Sequence, residues 1–199
     1  NARGSTNASA SLTVVPVSVP CTSLATRHWF TGGSDGLTPN GLAWGTNGVL
    51  YGTTYSGGGT PWGTVFSMTT NGAYAVLASF TQTNGAHPTA APVQGTDGKF
   101  YGTTAEGGGY GAGTVFAMTA DGMLSTLYSF AGQPGGAGPS GELAQGLDGN
   151  FYGTTTVGGV SNLGTVFRTT PSGVLTSRAA MSVPPPAGKQ AIMVICRSG

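Results

Sequence analysis

The chain of 199 residues is long enough to bury one sizeable core. Only 7% of its residues are charged, against about 25% in a typical domain, and a net charge of +1 with no Lys/Arg cluster excludes the electrostatic footprint of a nucleic-acid binder. No run of about 20 apolar residues is present to cross a bilayer as a helix, and 38% hydrophobic content at strand-like spacing excludes a plainly disordered chain.

Residues 1–29 read as an N-terminal arm with edge strands. The first eleven are small and polar and carry a single N-glycosylation sequon at Asn7-Ala8-Ser9. Residues 12–19 read as a strand interrupted by Pro16, which suits a sheet edge. Residues 23–30 match the last strand of the repeats that follow, with Trp29-Phe30 in the place of Ser79-Phe80.

Three tandem repeats then fill residues 30–181, divided as 30–80, 80–130 and 130–181. Tyr-Gly-Thr-Thr recurs at 51–54, 101–104 and 152–155, a spacing of 50 and then 51 residues. Fifteen residues after each Tyr stands the Phe of a Gly-Thr-Val-Phe string: Phe66, Phe116 and Phe167. Fourteen further on comes Phe80, Phe130 or Met181. A fixed period near fifty marks a repeat architecture. Asn47-Gly48, Asp97-Gly98 and Asp148-Gly149 precede the Tyr strings, and Asn71-Gly72, Asp121-Gly122 and Ser172-Gly173 follow the Phe strings. The Asn-Gly and Asp-Gly pairs favour tight hairpins, because both central residues of a type I′ turn take φ > 0.

Each repeat therefore predicts about four short antiparallel strands rich in Val, Thr, Tyr and Phe. Four strands per fifty residues predict an all-β fold, a β-propeller-like array of blades. A β-prism or β-trefoil of three units is the alternative. Tyr51, Tyr101 and Tyr152, with Phe66, Phe80, Phe116, Phe130 and Phe167, are predicted to form the repeated core.

Residues 182–199 begin with a proline stop and continue as an apolar strand at 191–196. Two arrangements fit the ends. Strands from both termini pair as a composite fourth blade that closes a ring, or one is donated to a neighbouring molecule, which makes the chain self-associate. Cys21 and Cys196 are the two cysteines, one near each end, and the even count in an exported protein favours a disulfide, either closing the two ends of one chain or stapling neighbouring subunits.

The pattern D-G-x-F-Y-G-T-T, then G-G, then G-T-V-F-x-M-T, then x-G-x-L-x-x-L-x-S-F resembles the GloVer-type tandem repeat of bacterial surface and secreted proteins. The resemblance covers residues 30–181. It implies an exported, β-propeller-like repeat protein of unassigned activity, and it brings no catalytic residues with it. Repeat one departs from the pattern with Asn47 and Trp44, where the others have Asp and Gln94 or Gln145. Repeat three departs at Arg178 to Met181.

Chemistry is sparse. Asp97 and Asp148 share a turn slot with Asn47, so they read as turn formers. Glu106 and Glu142 are the one carboxylate pair that suits a glycosidase. His28 and His87 have no zinc-ligand spacing, and neither a metal nor a cofactor motif is present. Trp44, Tyr55, Trp62 and Tyr110 break the repeat average and are candidates for stacking on sugars. The chain starts at Asn1 without an initiator Met, which fits a processed, exported, extracellular or cell-surface protein. With its charge-poor, hydroxyl-rich composition, the reading is a non-enzymatic structural or adhesive element that self-assembles into fibres. A carbohydrate-binding module is the alternative, and a propeller glycosidase or lyase comes third.

Overall fold

The computed structural model of the protein describes residues 25–180. Asn7, Cys21, Cys196 and the strands read at 12–19 and 191–196 lie outside the described residues.

Among the described residues the chain forms strands and turns and no helix. Blade one holds β1 (Leu37–Trp44), β2 (Leu50–Ser56), β3 (Thr64–Met68) and β4 (Tyr74–Ser79), paired in that order. Blade two opens with β5 (Ala86–Pro88) and β6 (Val93–Gln94), which both pair with β7 (Phe100–Glu106) as two halves of one broken strand. It continues with β8 (Thr114–Met118) and β9 (Leu124–Ser129). Blade three holds β10 (Ala137–Gln145), β11 (Phe151–Val157), β12 (Thr165–Thr169) and β13 (Leu175–Ala180). All strand-to-strand pairings are antiparallel, and the second strand of every blade carries Tyr-Gly-Thr-Thr.

One steric device recurs in each blade. The Gly-Thr-Val-Phe ring lies across the sheet from the glycine of Tyr-Gly-Thr-Thr: Phe66 opposite Gly52, Phe116 opposite Gly102, Phe167 opposite Gly153. A Cβ added to any of these glycines would stand 2.5 Å from the Phe Cζ. The ring takes the space a side chain would need, so the strand must carry glycine there. A β-bulge next to each Phe, between Val65/Phe66, Val115/Phe116 and Val166/Phe167, re-aims the chain at that point.

The blades join through a repeated aromatic seam. Tyr51 lies against Phe100 at 3.9 Å, the rings tilted by 31°, and Tyr101 stacks on Phe151 at 4.0 Å. Phe80 meets Phe116 edge-on at 5.3 Å, and Phe130 meets Phe167 at 5.2 Å. All these rings are buried. Threonine pairs tie the two central strands of each blade inside the core: Thr54 with Thr64, Thr104 with Thr114, and Thr155 with Thr165, at 2.8–2.9 Å. Gln94 and Gln145 reach back across the seams to accept the backbone N–H of Thr46 and Thr96 on the preceding blade.

The turn residues between first and second strands have a second task. Tyr101 donates its hydroxyl to Asp97 and Tyr152 to Asp148, whereas the Asn47 amide donates to the Tyr51 hydroxyl. These turns lie at one end of the blades. The glycine-rich loops between second and third strands, and the blade-to-blade connections, lie at the other.

Candidate functional site

The two described seams provide an internal comparison, slot by slot. At the glycine-loop end, four slots differ together. After Tyr-Gly-Thr-Thr, blade one has Tyr55 where blade two has Ala105. Before Gly-Thr-Val-Phe, blade one has Trp62 where blade two has Ala112. Across the first seam blade two presents His87 and Glu106, and across the second blade three presents Gly138 and Val157. One seam is lined by two aromatics, an imidazole and a carboxylate; its twin is lined by small or aliphatic residues.

The four side chains of the first seam converge. The His87 ring stacks on Tyr55 at 4.5 Å and meets Trp62 edge-on at 5.5 Å. Its Nδ1 lies 3.0 Å from the Tyr55 carbonyl oxygen. A carbonyl only accepts, so Nδ1 carries the proton and donates it, and Nε2 of the neutral ring keeps its lone pair. Nε2 faces the Glu106 carboxylate at 4.0 Å, with Glu106 itself well exposed. The result is an imidazole with a fixed tautomer, a carboxylate 4.0 Å from its free nitrogen, and two aromatic walls.

The backbone at His87 is held in an unfavourable state. Its φ is +55°, in the left-handed region. The equivalent Gly138 has φ +59° at no steric penalty, and Thr38 in blade one has φ +57°. A residue with a Cβ in this region is disfavoured by about 1–2 kcal/mol. The slot is set by the seam itself: the His87 N–H donates to the Trp62 carbonyl at 2.9 Å, as the Gly138 N–H does to Ala112.

Asp35, Asp97 and Asp148 have structural duties. The Asn150 amide, with the Tyr152 hydroxyl, holds the Asp148 carboxyl below its ordinary range. Burial, with Asp97 alongside, pushes the Tyr101 hydroxyl well above its own. His28 stacks on Tyr74 at 3.8 Å and lies 3.4 Å from Asp35, whose carboxyl is held low chiefly by the Thr31 hydroxyl. Burial, followed by the Asp35 charge, raises the Tyr74 hydroxyl to about 12.

The candidate rings separate into two groups. Tyr55 and Trp62 meet at His87, whereas Trp44 lies at the opposite, hairpin end of blade one and Tyr110 in the β7–β8 loop of blade two. Glu142 is exposed on β10, and Glu106 faces His87. Among the described residues, no three His, Cys, Asp or Glu side chains gather as metal ligands. Sequence reading missed His87. The available signal was its place before Pro88, in the slot held by Thr38 before Pro39 and Gly138 before Pro139.

The profile of the Gloeobacter/Verrucomicrobia repeat matches residues 4–193. The chain belongs to this family. No curated protein matches the sequence. Among solved structures, a gluconolactonase from Xanthomonas campestris, described as important in glucose secondary metabolic pathways, shares the fold: TM-score 0.51, 16% identity, 73% of this chain and 48% of that one. A candidate gluconolactonase is similar at TM-score 0.46 and 15% identity, over 72% of this chain and 48% of that one. The chain thus spans about half the length of the solved structures it matches. The likeness shows an all-β, propeller-like fold in this repeat protein. It corrects the expectation of a non-enzymatic structural or adhesive protein: a gluconolactonase shares the fold, so blades of this kind do not by themselves mark a passive surface element.

Proposed function

We propose that the protein is a hydrolase of small cyclic sugar esters, with Tyr55, Trp62, His87 and Glu106 as its active site. The observation that carries this reading is the joint departure of one seam from its twin, which assembles a base, a carboxylate and two stacking rings where the repeat otherwise has Ala, Ala, Gly and Val. The substrate class comes from the gluconolactonase fold likeness.

The chemistry follows from the geometry. A sugar-derived lactone lies against Tyr55 and Trp62, whose faces suit the apolar side of a pyranose-like ring. His87 Nε2 takes a proton from water, and the water oxygen forms a bond to the lactone carbonyl carbon. Glu106 stabilises the imidazolium that results. The tetrahedral intermediate then collapses with cleavage of the ring C–O bond. The imidazolium returns its proton to the departing alkoxide, leaving an open-chain hydroxy acid and the starting imidazole. Export to the cell exterior is proposed alongside, on the low charge and the hydroxyl-rich composition.

Proton release from glucono-δ-lactone, read against the uncatalysed rate, tests this. The wild-type chain is expected to accelerate opening, and His87→Gln to reduce kcat by about 10²–10⁴-fold, the usual contribution of a positioned acid–base group. Thr156→Ala, at the Tyr55 slot of blade three, is expected to leave the rate unchanged. A wild-type rate equal to background, or a His87→Gln rate equal to wild type, overturns the proposal.

A further inference from the structure

The two described seams differ again in how they hold the strand that carries His87. Each seam has one backbone bond at this slot, from the His87 N–H to the Trp62 carbonyl and from the Gly138 N–H to the Ala112 carbonyl, both at 2.9 Å. The first seam adds a side-chain clamp. The Asn40 amide on β1 donates to the Pro88 carbonyl at 2.8 Å and to the Thr53 hydroxyl at 3.0 Å. The Thr53 hydroxyl donates in turn to the Ala90 carbonyl at 2.9 Å. A carbonyl only accepts, so the amide nitrogen is the atom that faces Pro88, and both of its protons are used. The chain from His87 to Ala90 is therefore tied to blade one through the His87 N–H, the Pro88 carbonyl and the Ala90 carbonyl.

The twin seam lacks this clamp. The residue after the shared proline is Asn40 in blade one, Thr89 in blade two and Ser140 in blade three. The prolines keep one register, Pro39 on Thr54, Pro88 on Thr104 and Pro139 on Thr155. At the second seam the Thr89 hydroxyl, in the slot of Asn40, is buried without a hydrogen-bond partner. The Thr103 hydroxyl, in the slot of Thr53, meets the Gly141 carbonyl only at 3.5 Å. That seam has Gly138 before its proline and so has no side chain to aim. The first seam has His87, whose ring must meet the Tyr55 carbonyl at 3.0 Å to keep its proton on Nδ1. Asn40 binds the carbonyl of the residue that follows His87, so a shift of that strand swings the imidazole off the Tyr55 carbonyl. The clamp stands where a side chain has to be aimed and is missing where none has to be.

We propose that Asn40 is the residue that positions the His87 imidazole, holding β5 against blade one so that Nδ1 stays on the Tyr55 carbonyl and Nε2 stays free toward Glu106. Asn40 acts through His87 and touches no reacting atom. Its role in turnover rests on the reading of His87 as the base, and the test separates the two. The ¹⁵N resonances of labelled protein report the tautomer of each neutral imidazole without substrate, with His28 as the internal reference. Wild type is expected to show His87 as the Nδ1–H tautomer. Asn40→Ala deletes the clamp and Asn40→Asp keeps its shape without a donor, so one remains informative if the other misfolds. Both should keep the wild-type circular dichroism and His28 resonances, while the His87 nitrogens move toward the averaged positions of mixed tautomers. On glucono-δ-lactone kcat should fall about 10–100-fold, the scale set by a displacement of about 1 Å, with KM held by Tyr55 and Trp62. Ser140→Ala, in the same slot of blade three, should change neither readout. Folded variants whose His87 resonances match wild type, equal movement at both histidines, or a raised KM with kcat unchanged would overturn the proposal. A wild type that does not open the lactone, with the His87 shift present in the variants, would overturn the hydrolase reading and leave the hold of Asn40 on His87 in place.

Discussion

At the scale of single residues, the aromatic-on-glycine device gives a sharp expectation. Gly102→Ala places a methyl 2.5 Å from Phe116 Cζ, and overpacking of this kind destabilises by about 1–3 kcal/mol. Phe116→Ala empties the same site and should destabilise by about 3–5 kcal/mol. Because both act on one contact, the double variant in urea melts should fall short of the sum of the singles. Full additivity would contradict the contact. The tyrosine–aspartate pairs set the pH response. The Tyr101 pKa is raised in the folded state by burial first and by Asp97 next. Above pH about 10 the unfolded chain has lost that proton while the folded one keeps it. Stability is therefore complete below pH 10 and declines as pH climbs toward the folded value. Asp148 is lowered from 3.8, so its contribution holds above that value and is lost as pH falls. Tyr101→Phe should flatten the alkaline decline in a melting-temperature series and leave the acid limb in place.

At the scale of elements, the strain at His87 is expected to trade against packing. His87→Gly installs the residue that blade three has in this slot and removes about 1–2 kcal/mol of left-handed strain. It also removes the stacking on Tyr55 and Trp62, about 0.5–1.5 kcal/mol per aromatic pair. The two effects nearly cancel, so the melting temperature should move by only a few degrees while lactone hydrolysis is lost. A large drop in stability would mean that His87 serves packing alone. The same element marks the boundary of what was legible from sequence. The strings Tyr-Gly-Thr-Thr and Gly-Thr-Val-Phe, with their turn pairs, could be read as strands and hairpins because local propensity and spacing determine them. The shared register of Gly52, Gly102 and Gly153 with their Phe partners follows from that period. The meeting of Tyr55 with His87 does not, because it depends on how blade two docks on blade one, 32 residues further along the chain. Trp44 and Tyr110 looked equivalent to Tyr55 and Trp62 by residue type, yet the fold places them at other corners.

At the scale of the whole molecule, each described blade packs chiefly on its neighbours in the chain, so damage should stay local. Phe100→Ala strips the ring that lies against Tyr51 at 3.9 Å. Amide exchange should then accelerate in β2, β3 and β7, while protection across the Tyr101–Phe151 seam persists. Uniform acceleration would show that the array unfolds as one unit instead. The placement of function at one seam, and at no other, is the central claim, and the two histidines offer a direct probe of it. His28 and His87 are the only imidazoles in the chain, and the nitrogen resonances of ¹⁵N-labelled protein distinguish Nδ1–H from Nε2–H tautomers. Titration with gluconate, the open-chain product, is expected to shift the Nε2 resonance of His87 and leave those of His28 in place. Equal shifts at both rings, or none at His87, would contradict the account.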